Sequence, residues 1–124
     1  MKIDKILKNK NIPYKVQEYD DYINIYKVGN SKLINIVTMI EKGNVFKIDS
    51  DLFYYLNNQK EPYSFLLIDR LENKFYYLDF KNKNNWIKSS FERSGKDEIY
   101  FGKIVLNNRI TKDKVTSILY QYID

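Results

Sequence analysis

The chain is expected to form an α+β fold, a mixed and mostly antiparallel sheet of about six strands flanked by helices, on three observations. From Pro62 to Phe80, two runs rich in β-branched and aromatic residues flank the polar Glu72-Asn73, which is a hairpin pattern. Phe65 to Ile68 is apolar without alternation, as a central strand covered above and below must be. At the ends of the chain, Ile3, Ile6 and Leu7 on one side and Val115, Ile118, Leu119, Tyr122 and Ile123 on the other recur at helical spacing.

Taken in order, the first helix is amphipathic, with Lys2, Lys5, Lys8 and Lys10 around its apolar stripe, and Pro13 ends it. Tyr14 to Asp21 and Tyr22 to Val28 read as strands with Asp20-Asp21 between them. Gly29-Asn30-Ser31 supplies a turn, and Lys32 to Glu41 is a third strand closed by Gly43-Asn44, so the three form an antiparallel meander. Val45 to Ile48 leads into a helix that Asp49 or Ser50 can cap, with Asp51 at the positive end of its dipole and Ile48 stapled to Phe53. Leu52, Tyr55 and Leu56 are expected to face one way, and Asn57-Asn58 to stop the helix. After the hairpin, Asn85 caps a short helix carrying Trp86, Ile87 and Phe91, which Ser94-Gly95-Lys96 breaks. Glu98 to Leu106 is a further strand, and Thr111 caps the last helix. The expected order is α-β-β-β-α-β-β-α-β-α within one domain spanning residues 1–124.

With 124 residues, 44% of them hydrophobic, there is enough apolar material for one core. The absence of Cys and His removes disulfides, Cys/His zinc sites and His-based nucleophile systems. No apolar leader or bilayer-length run is seen, so a cytoplasmic protein without a membrane partner is expected. A net charge of +5 invites nucleic acid as a partner. The chain also lacks Ala and is dominated by Lys, Asn, Ile and Tyr, residues of A/T-rich codons, so base composition alone can produce a Lys excess.

The run Phe46 to Leu56, followed by Glu61-Pro62-Tyr63-Ser64-Phe65-Leu66-Leu67-Ile68-Asp69 and Lys74-Phe75-Tyr76-Tyr77-Leu78, resembles small restriction-endonuclease-like domains of the PD-(D/E)xK superfamily. The resemblance covers roughly residues 1 to 120 as an order of elements. It implies an Asp at the start of one strand and a carboxylate-x-Lys on the next, together holding Mg²⁺ and orienting the attacking water. Asp20 or Asp21 stands where the first Asp would be. The following strand offers Val37-Thr38-Met39 instead of the triplet, and Glu41 and Lys42 are adjacent, on opposite faces. The resemblance therefore implies a module with a degenerate catalytic set, with no cofactor expected and Mg²⁺ only for an active nuclease.

Candidate sites follow from residue chemistry. Asp20 and Asp21, with Glu18, are metal-ligand candidates, although a turn between strands attracts Asp for local reasons. Lys27, Lys32 and Lys42 could form a phosphate-contacting rim, although sheet edges are also rich in Lys to discourage pairing. Lys81, Lys83, Lys88, Arg93 and Lys96 interleave with Trp86 and Phe91, cations for phosphates and rings for stacking, and form the main nucleic-acid or partner-binding candidate. The doublets Tyr54-Tyr55 and Tyr76-Tyr77 would present one ring outward wherever they lie on strands, suiting a protein interface. Three functional expectations result. One is a non-catalytic nuclease-fold module binding nucleic acid or a nucleic-acid-handling complex; another is a phage or mobile-element anti-defence inhibitor binding a protein; the last is a Mg²⁺-dependent nuclease.

Overall fold

A computed structural model of the chain describes residues 3–29, 33–43, 45–71, 73–79, 91–94, 98–101 and 108–121. Helix α1 (Ile3–Asn9) precedes three antiparallel strands, β1 (Tyr14–Glu18), β2 (Ile23–Val28) and β3 (Ile34–Ile40). A short strand β4 (Lys47–Asp49) and helix α2 (Ser50–Asn58) make the crossover to β5 (Tyr63–Ile68), which lies parallel to β3. A parallel neighbour cannot be reached by a tight turn, and the segment containing β4 and α2 supplies the length it needs. β6 (Phe75–Leu78) returns antiparallel to β5, followed by β7 (Phe91–Ser94), β8 (Glu98–Phe101), β9 (Arg109–Ile110) and helix α3 (Lys112–Tyr120). The main sheet has the order β1-β2-β3-β5-β6-β9, and β4-β8-β7 form a second sheet.

Every residue of β5 is buried, because alternate side chains feed two different cores. Tyr63, Phe65 and Leu67 join Val37 and Met39 of β3 beneath Leu52, Phe53 and Leu56 of α2, with Ile48 and Phe101 from the second sheet. Leu66 and Ile68 face the other way and join Ile36 beneath Ile3 and Leu7 of α1 and Val115 and Leu119 of α3. Phe65 is the hub of the first core: its ring meets Tyr63 and Phe101 edge-on at centroid separations of 5.4 and 5.1 Å.

The α+β class, the six-stranded mixed sheet and the meander agree with expectation, as does the capping of α3, where the Thr111 hydroxyl accepts from the Lys114 amide at 3.2 Å. Several details differ. The segment before α2 is a strand, β4; Phe91 begins β7 instead of ending a helix; and the strand from Glu98 belongs to the second sheet. The sixth place in the main sheet goes to Arg109–Ile110. Lys47-Ile48-Asp49 and Arg109-Ile110 are too short to show a period, so their pairing partners, not their own patterns, make them strands. On α2, Phe53 is buried and Tyr55 exposed, the reverse of the expected assignment for Tyr55. Asp49 occupies the N-cap position of α2 but makes no capping bond; its carboxylate accepts the Tyr19 hydroxyl instead. The expected helix around Asn85, Trp86 and Ile87 lies outside the described residues. No helix among the described residues is long and apolar enough to cross a membrane.

Helix α1 is tied to the sheet through Asp4, whose carboxylate accepts the Tyr26 hydroxyl at 2.6 Å and the Tyr14 hydroxyl at 3.2 Å. The bond from Tyr26 outweighs partial burial and, aided by Tyr14, holds the Asp4 carboxyl below its ordinary value of 3.8. A depressed carboxyl contributes stability above its unfolded value and loses it as pH falls through the folded one, so this tie weakens below about pH 4. Asp4→Asn is expected to cost about 1 to 2 kcal/mol at neutral pH and to flatten the acid-side fall in stability. Denaturant unfolding of both proteins at neutral pH and near pH 3 measures each effect.

Candidate functional site

The turn between β1 and β2 accounts for one of the acidic candidates locally. Asp20 Oδ1 accepts the amides of Tyr22 and Ile23, each at 2.8 Å, so its carboxylate closes an Asx turn. Asp21 is exposed beside it, and Glu18 is exposed at the end of β1. Tyr19 donates to Asp49, and this bond, with some burial and the nearby Asp20 and Asp51 carboxylates, pushes its phenol up to about 12. Among the described residues no group of three or more acidic side chains stands close enough to hold a metal ion.

The positions that the resemblance would give to the catalytic triplet lie directly across from β2, with Val37 opposite Ile25, Thr38 opposite Asn24 and Met39 opposite Ile23. Val37 and Met39 are wholly buried in the core beneath α2, and the Thr38 hydroxyl donates to the Asn24 carbonyl. These residues do not fit a Mg²⁺ site of two carboxylates and a lysine. The expected lysine rim is also occupied: Lys27 pairs with Glu61 at 3.0 Å and Lys42 lies over the Tyr22 ring at 5.2 Å, while Lys32 is outside the described residues.

Of the main candidate surface, Lys81, Lys83, Trp86, Lys88 and Lys96 lie outside the described residues, and Arg93 is placed only as a backbone position in β7 opposite Ile99. A different cationic surface stands at the β9 edge. Arg109, Lys112 and Lys114, with Asn73, Phe75, Ile110 and Thr111, line an open concavity of about 930 Å³, with no carboxylate among the described lining residues. Sequence reasoning passed over these three cations, although Lys112 and Lys114 sit in the first turn of α3, where the helix dipole disfavours positive charge. The same turn also carries Asp113, whose carboxylate suits the dipole, so both signs of charge meet there.

A second, more enclosed cavity of about 270 Å³ lies at the opposite edge, between β1, β2, β3 and the C-terminal end of α2. Lys15, Gln17, Lys27, Asn35 and Gln59 give it polar groups, and Val16, Ile25, Tyr55 and Leu56 give it apolar walls. Asn35 is 2% exposed, and among the described residues neither its Nδ2 nor the buried Nε2 of Gln59 has a hydrogen-bond partner. A buried donor left unpaired costs about 1 to 3 kcal/mol. Asn35 was visible in the sequence as a lone amide within Leu33-Ile34-Asn35-Ile36-Val37. Gln59 was not, since its amide nitrogen becomes buried only through its place at the end of α2.

No protein-family model, no curated protein and no solved structure matches the chain. The assignment of Asp20 to the turn has a direct test. Asp20→Ala is expected to cost about 1 kcal/mol through loss of the two bonds its carboxylate accepts from backbone amides, and Asp21→Ala to stay within about 0.5 kcal/mol of the parent, in urea unfolding.

Proposed function

We propose that the chain is a binding module that engages the phosphates of a nucleic acid, or of a nucleic-acid-handling complex, rather than a metal-dependent nuclease. The observation that carries this reading is the concavity at the β9 edge, where Arg109, Lys112 and Lys114 line one hollow with no carboxylate among the described lining residues. Such a surface attracts a polyanion by releasing the counterions condensed on it, and Arg109 can present its guanidinium as a fork to two phosphate oxygens. The overall charge of +5 adds a long-range pull of the same sign. The resemblance to a nuclease-like scaffold is kept as part of this reading, and the core residues Val37 and Met39 at the triplet position favour a non-catalytic version of it. Lys81, Lys83, Trp86, Lys88, Arg93 and Lys96 remain part of the proposed contact surface.

A second reading rests on α2. Tyr54 and Tyr55 are 45% and 62% exposed, and neighbouring exposed tyrosines suit a protein interface because a rigid ring buries area at small entropic cost. A small anti-defence inhibitor from a phage or mobile element would use such a surface. The tyrosine pair on the central hairpin does not serve this role, because Tyr76 is buried in the first core and Tyr77 packs against the second.

Fluorescence titration of labelled single- and double-stranded oligonucleotides against salt separates the two readings. Phosphate engagement predicts that log K falls linearly with log salt, and that Arg109→Glu, Lys112→Glu and Lys114→Glu together flatten the slope by about one per cation. Lys81→Glu, Lys83→Glu and Lys88→Glu are expected to act in the same direction. A stoichiometric protein complex without nucleic acid, lost on Tyr54→Ala and Tyr55→Ala and unaffected by the charge reversals, would replace the first reading with the second.

A further inference from the structure

Strand β1 closes the main sheet with one edge unpaired among the described residues. Tyr19 donates its amide to the Ile23 carbonyl and Gly29 to the Pro13 carbonyl, so in the β1–β2 register the odd-numbered residues of β1 spend their backbone groups on β2. The amides and carbonyls of Tyr14, Val16 and Glu18 therefore point away from the sheet. The run stops at both ends, because the Ile12 amide is bonded to the Leu7 carbonyl and the Asp20 amide to that of Ile23. Three residues are left to pair.

We propose that this edge takes a second copy of the chain, β1 antiparallel to β1 about a twofold axis, which joins two main sheets into one. Facing residues of an antiparallel pair share a face of the sheet, so even-numbered residues meet even-numbered ones. Only the register centred on Val16 pairs all three, Val16 with Val16 and Tyr14 with Glu18 in both directions. A slip either way would call on Ile12 or Asp20, whose amides are taken. The side chains fit the same register. Val16, 48% exposed, is covered by its own copy, and Lys15 meets the second copy's Gln17, whose amide oxygen can accept from the ammonium group. Charges of one sign on an edge discourage pairing, but β1 carries one of each, Lys15 and Glu18, and neither faces its like. This internal twofold match favours a second copy over an unrelated extended segment. Five residues a side make a small interface, so the dimer is reversible, with a dissociation constant on the order of tens of micromolar.

Sedimentation velocity of the full chain, from micromolar to near-millimolar concentration, tests this. The parent is expected to pass from one to two chain masses across that range. Val16→Pro removes the central outward amide and leaves the bonds to β2 in place, and Val16→Lys sets two ammonium groups face to face; each is expected to raise the dissociation constant at least about tenfold. Val16→Thr should pair like the parent. Should Val16→Pro not fold, Val16→Lys, a polar change at a half-exposed edge position, decides the matter. The chain has no cysteine, so single thiols report the register. On mild oxidation Val16→Cys should give a disulfide-linked dimer, whereas Lys15→Cys, whose copy lies two residues out of step, should not. A parent that stays monomeric throughout, a dimer indifferent to Val16→Lys, or equal cross-linking by Val16→Cys and Lys15→Cys would overturn the proposal.

Discussion

A strand buried on both faces has no water to satisfy its amides and carbonyls, so β5 must be hydrogen-bonded along both edges and covered both above and below. The partners β3 and β6 meet the first demand. The second is met by two different layers, α2 with the second sheet on one side and α1 with α3 on the other. Phe65 and Leu66, adjacent in sequence, thus belong to separate cores, and the chain cannot lose one without exposing the other. Each fully buried large side chain here is worth about 1.5 to 3 kcal/mol, whereas an exposed ion pair such as Lys27–Glu61 is worth at most about 1 kcal/mol. Stability resides in the centre of the sheet, and charge at the periphery is left for other uses.

That division organises the functional proposals. The interior of the main sheet is packed, and both candidate sites lie at its margins, one beside β1 and the other beside β9. At β9 the lining is cationic and open, suited to a long polyanion that need not be enclosed. At β1 a smaller and less open cavity mixes polar with apolar lining residues.

What could be read in the sequence follows from how each feature is encoded. The two-faced apolar run of β5, the helical stripe of α3 and its Thr111 cap are written in consecutive residues, and all agree with the structure. The strands β4 and β9 depend on pairing with distant partners, so nothing local announces them, whereas β7 pairs with β8, the next strand in the chain. Tyr55 was misassigned because a tyrosine suits either side of a helix, and Phe53 competed for the inner one. The sites were legible in fragments. Asn35 and the cations Lys112 and Lys114 violate a local rule and could have been singled out, whereas the juxtaposition of Asn35 with Gln59 and Lys15 requires the fold.

Native-state hydrogen exchange tests the dependence of the whole on β5 most directly. With β5 as the shared wall of two cores, the amides of Phe65, Leu66 and Leu67 should be among the slowest in the chain and exchange only through global unfolding, with those of β1 opening far more readily. Exchange of the β5 amides at the rate of β1, or two separate unfolding steps for the two cores, would contradict it.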